Sequence, residues 1–162
     1  MKRMVAILTV LFLLTGCDAA ETYEYVTDEL VQSVAAQPRE IHFHLAEETV
    51  MPVMETDSGK LYLCGDYDVM SQILDGGDLE ETIRQVSGFS QEELTVIQTA
   101  SGEINKHEFV WTSASDEGQQ VGRATILDDG NYHYVLSATV DAELIEEYQE
   151  IWNGIFESFE LI

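Results

Sequence analysis

The chain has 162 residues, with seven Lys and Arg against 31 Asp and Glu, and a formal net charge of −24. A chain this acidic repels nucleic-acid phosphates and anionic lipid headgroups, so DNA and RNA are excluded as partners. Its length fits one domain able to bury most of its apolar surface, and its 45% hydrophobic content is that of a globular protein.

Residues 1–16 read M-K-R-M-V-A-I-L-T-V-L-F-L-L-T-G. Lys2 and Arg3 form a basic start, and Met4 to Leu14 form an apolar run shorter than the roughly 20 residues a bilayer crossing needs. This is the pattern of a signal peptide. Leu14-Thr15-Gly16-Cys17 resembles the lipobox of bacterial lipoproteins. The resemblance implies diacylglycerol attached to Cys17 by a thioether and cleavage between Gly16 and Cys17. The protein would then be lipid-anchored on the extracytoplasmic face of the cell membrane. One acyl chain binds a membrane only marginally, at about 0.8 kcal/mol per buried CH2, whereas the two of a processed lipoprotein hold it stably. Asp18 resembles the inner-membrane retention signal of Gram-negative lipoproteins. Residues 1–16 hold two of the basic residues and none of the acidic ones, so the remainder carries five against 31. With Cys17 lipidated, Cys64 is alone, and the mature monomer has no internal disulfide.

Residues 17–22 read as a short tether and 23–162 as a single domain. Tyr23, Val26, Leu30, Val31 and Val34 recur at helical spacing, which predicts a helix from about 22 to 36, ended before Pro38. Alternation in I-H-F-H-L (41–45) predicts a half-buried strand with Ile41, Phe43 and Leu45 inward and His42 and His44 outward. A short strand over 50–55 follows. Strands at 61–64 and 67–74 are joined by a hairpin at Gly65-Asp66, with Cys64 as a small buried strand residue. Asp78 and Glu81 read as a capping box opening a helix that buries Leu79, Ile83 and Val86 and stops at Gly88. Ser90 to Glu93 reads as one more helical turn. Strands at 94–99, 106–113, 120–127 and 131–140 form an antiparallel meander, with Asp129-Gly130 as its clearest hairpin turn. Asp141 is expected to cap a last helix with Leu144, Ile145, Tyr148, Ile151, Trp152, Ile155 and Phe156 on one face and glutamates on the other. That helix lacks the Lys and Arg of a membrane-surface helix. The expected class is α+β: an antiparallel meander covered by helices, the C-terminal amphipathic helix packed on the sheet.

From about residue 61 to the end, this order resembles the PsbP-like fold. The resemblance is carried by D-G-N-Y-H-Y-V-L-S-A-T (129–139) leading to a terminal helix that ends I-F-E-S-F, with Ser158-Phe159 the most family-like touch. It covers roughly 100 residues and transfers no functional residue. It implies a module that binds or assembles rather than catalyses.

Signatures of chemistry are few. There is no G-x-S-x-G, H-E-x-x-H, P-loop or G-x-G-x-x-G, so no enzyme is expected. His42 and His44 form H-x-H on one strand face, a spacing that can hold a metal if His107, His133 or a carboxylate supplies a third ligand. They read first as polar residues on a solvent face. Asp66, Asp68, Asp75, Asp78, Glu80 and Glu81 lie close in sequence, but no D-x-[DN]-x-[DN]-G loop is present. They read first as turns and caps; no cofactor is expected, and weak Ca2+ binding stays open. The aromatics Tyr23, Tyr25, Tyr62, Tyr67, Trp111, Tyr132, Tyr134 and Trp152 divide between core and a partner surface in a way spacing does not reveal. The expectation is a monomeric, non-catalytic binding or assembly module for an envelope protein. The alternative is an accessory lipoprotein for a small ligand or a divalent cation.

Overall fold

Strand alternation and tight turns build one sheet, and helices are laid on both of its faces. The computed structural model describes residues 36–47, 49–115 and 118–162. The signal segment with Gly16 and Cys17, nearly all of the helix expected over 22–36, and the Asp116-Glu117 turn lie outside the described residues.

The first meander is β2 (Met54–Thr56), β3 (Gly59–Leu63) and β4 (Tyr67–Asp75). Helix α1 (Leu79–Ser87) and a 3-10 turn (Gln91–Glu93) lead to the second: β5 (Ile97–Ser101), β6 (Ile104–Ser115), β7 (Gly118–Asp128) and β8 (Tyr132–Asp141). Strand β8 then pairs with β4, giving a seven-stranded antiparallel sheet of order β2-β3-β4-β8-β7-β6-β5. After a 3-10 turn (Ala142–Leu144), α2 (Ile145–Glu157) crosses one face. A two-residue strand, β9 (Glu160–Leu161), pairs with β1 (Ile41–His42) beside it.

Period-two alternation divides the core. On one face, Tyr67, Val69, Tyr134, Leu136, Ala138 and Val140 pack under Trp152, Ile155, Phe156 and Phe159. On the other, Phe109, Trp111, Ala124, Ile126 and Val135 pack under Ile83 of α1. Each fully buried side chain of this kind contributes about 1.5–3 kcal/mol.

Turn chemistry fixes the hairpins. Gly65 has φ of +82°, and the Cys64 amide donates to the Tyr67 carbonyl, closing the β3–β4 turn. In the β7–β8 turn Asp129 Oδ1 accepts from the amides of Asn131 (2.9 Å) and Tyr132 (2.8 Å). The Tyr134 hydroxyl donates to Asp129 Oδ2 (3.0 Å), and that of Tyr132 to the Ala36 carbonyl (2.6 Å). These bonds tie the incoming chain to the turn.

Several expectations are corrected. The strand over 41–45 stops at His42, because its partner β9 has only two residues; the His44 amide instead donates to Ser158 Oγ (2.9 Å). The strand over 50–55 begins only at Met54. The strand expected over 94–99 starts at Ile97, because Leu94 and Val96 pack into the core under α1. Asp78 caps α1 through the Glu80 amide (3.0 Å), but Glu81 turns to Arg84 rather than completing the box. The reciprocal box forms at Ser90 and Glu93 instead. Asp141 ends β8 and makes no side-chain capping bond, and α2 starts three residues later than expected. Cys64 lies just beyond β3, half-buried rather than buried.

Candidate functional site: an open half of the sheet

Register places the α1-side residues in cross-strand rows. Leu63, Asp68, Thr139, Gly122 and Trp111 form one row. Met54, Leu61, Met70, Ser137, Ala124 and Phe109 form the next. Helix α1 packs over the β6–β8 ends of these rows and leaves the β2–β4 ends open. The result is a groove of about 480 Å³, walled by Gln85 and Val86 of α1 and by Trp111, and floored by Leu61, Asp68, Met70 and Ser137. Met54 and Leu63 extend its apolar floor to the sheet edge, 52% and 51% exposed.

One glycine shapes the wall. Gly122 stands opposite Trp111, and a Cβ built on it would lie 2.2 Å from the indole. The indole therefore lies flat over the β7 backbone, which only glycine permits. Asp68 is the only charged residue among those lining the groove; it is exposed, and the side chains around it raise its carboxyl above the usual range.

A second constellation is polar and closed. Thr82 Oγ1 lies 2.7 Å from His133 Nδ1, both buried. His133 Nε2 is 3.9 Å from Asp128 Oδ1, and buried His107 feels the same carboxylate from the neighbouring strand. Burial pulls the His107 pKa down, Asp128 opposes this, and His133 adds to it. Thr82 and buried His133 form a polar tie between α1 and β8, while Asp128 beside them keeps 22% of its side chain exposed.

The residues singled out in sequence do not converge. His42 and His44 do share a face, their rings meeting edge to face at 4.8 Å, and His42 Nδ1 lies 3.5 Å from Glu160 Oε1. His107 and His133 sit in the α1-side cluster instead. Among the described residues, no group of three or more His, Cys, Asp or Glu is placed to hold a metal. The acidic series is dispersed: Asp66 accepts from the Tyr148 hydroxyl (3.0 Å), Asp78 caps α1, and Glu80 and Glu81 pair with Arg84. Cys64 shares a hydrogen bond with Tyr67; burial raises its thiol pKa, and that of the Tyr67 hydroxyl to about 12, which opposes nucleophilic use. The groove was missed in sequence. Its only signal was the apolar M-x-x-x-x-x-x-L-x-L pattern of Met54, Leu61 and Leu63, which also fits a buried strand.

No described helix is long and apolar enough to cross a membrane. No protein-family model and no curated protein matches this chain. Among solved structures, a protein of Bacteroides thetaiotaomicron VPI-5482 aligns with a TM-score of 0.49 at 9% identity, over 75% of this chain and 45% of its own. This chain thus spans less than half the length of that protein. The Saccharomyces cerevisiae Ran-binding protein Mog1p aligns with a TM-score of 0.43 at 9% identity, over 78% of this chain and 96% of its own.

Proposed function

We propose that this chain is a lipoprotein anchored through Cys17 on the extracytoplasmic face of the membrane. Its PsbP-like α+β domain, read over 23–162, serves as a non-catalytic binding or assembly module for an envelope protein. The observation that carries the docking role is the open half of the sheet, where Leu61 and Met70 line a groove that α1 does not cover and Leu63 and Met54 stand exposed at its edge. The anchor rests on the lipobox pattern Leu14-Thr15-Gly16-Cys17. The high formal charge keeps the domain soluble beside an anionic envelope and repels a second copy, so the monomer is the working form.

The test is a crosslinked pull-down of the intact protein from its own membranes, with and without a calcium chelator. One dominant envelope partner, retained under chelation and lost in Met70→Lys, is expected. A partner lost only on chelation would move the function to the acidic loops. Cys17→Ser is expected to abolish lipidation and membrane retention; a variant still lipid-modified would overturn the anchor.

A further inference from the structure

We propose that the groove takes an amphipathic segment of a protein partner, one basic side chain of which seats on Asp68 between apolar residues resting on Leu61, Met70 and Trp111. This rests on the reading of the groove as the docking face.

The argument starts from where the cations are. Lys60 pairs with Glu55 (2.9 Å), Arg84 with Glu80 (2.6 Å), and Lys106 with Glu108 (3.1 Å). Arg123 lies between Glu108 (3.6 Å) and Asn153 (2.8 Å), and Arg39 stands beside Asp129. Every Lys and Arg of the described residues thus has an acidic neighbour other than Asp68, which forms no ion pair among them. Asp68 is exposed at the groove, flanked by Leu63, Met70 and Thr139, and no cation of the described residues faces it. An incoming ammonium or guanidinium supplies the cation that Asp68 lacks. Apolar groups on either side find methionine and leucine, of which methionine adapts most readily to shape. The net charge of −24 steers a basic segment in and turns an acidic one, or a second copy of this chain, away.

The test uses the full-length anchored protein in its own membranes, with a photoreactive phenylalanine at Leu63 on the groove rim, or at Val110 on the opposite face as control. Irradiation from position 63 is expected to capture one peptide segment carrying Lys or Arg flanked by apolar residues. Asp68→Asn should cut the yield about five- to tenfold, between the effects of a surface and a buried ion pair, and Asp68→Glu should keep it. Higher salt should lower the yield of the parent protein and leave that of Asp68→Asn nearly unchanged. A neutral or acidic segment captured at position 63 and indifferent to Asp68→Asn would overturn the cation inference while the docking face stood. Capture of lipid instead of peptide would overturn the protein partner. Capture at position 110 alone, or at neither position, would overturn the docking face itself.

Discussion

The two halves of one sheet face differ in what lies over them, and the residues beneath differ accordingly. Under α1, the β6–β8 half carries Phe109, Ala124, Ile126 and Val135, all buried, and its polar members are tied, as in Thr82 to His133. Beyond α1, the β2–β4 half alternates in the same way but leaves Met54 and Leu63 half in water and Leu61 and Met70 partly buried, beside the exposed carboxylate of Asp68. Both halves are apolar; only one is satisfied within the chain. The docking face proposed above rests on this contrast between the two halves.

The largest test of that contrast is Ile83→Ala, which removes the fully buried contact of α1 with the sheet. It should cost about 2–5 kcal/mol, read as the urea midpoint of unfolding. Gly122→Ala sits on the border between the halves. Its Cβ must displace the Trp111 indole, so it should cost about 1–3 kcal/mol and also reshape the groove wall; indole fluorescence reports the displacement. Thr82→Val leaves His133 Nδ1 buried without a partner and should cost about 1–3 kcal/mol, while Thr82→Ser should keep most of the stability.

A smaller effect comes from pH. Burial holds the folded pKa of His107 below its unfolded value, so the unfolded chain binds that proton more readily. The contribution is present above about pH 6.5 and is lost as pH falls through the folded pKa. Urea midpoints measured downward from neutral pH should therefore fall less steeply in His107→Gln than in the parent. The smallest stability effect should be in the open half: Met70→Lys should change unfolding by under about 0.5 kcal/mol yet abolish partner capture. A large loss of stability in Met70→Lys would erase the contrast between the halves.

The sequence by itself determined most of the elements, because their signals are local. Alternation marked β6 to β8, Asp129-Gly130 marked their turn, and three- and four-residue spacing marked the face of α2. It failed where a neighbour distant in sequence decided the outcome. Leu94 and Val96 look like strand residues, but α1 and β6 drew them into the core, and β5 began later. His42 and His44 read first as polar residues on a solvent face, with a metal site open only if another ligand joined them, and in the fold His107 and His133 lie on the α1 side of the sheet instead. The groove was wholly a tertiary outcome. Leu61, Met70 and Trp111 belong to three strands, and β8 enters beside β4 only after the second meander is complete. Whether an apolar strand face is buried or open depends on where a helix comes to rest, and periodicity records the face but not what covers it.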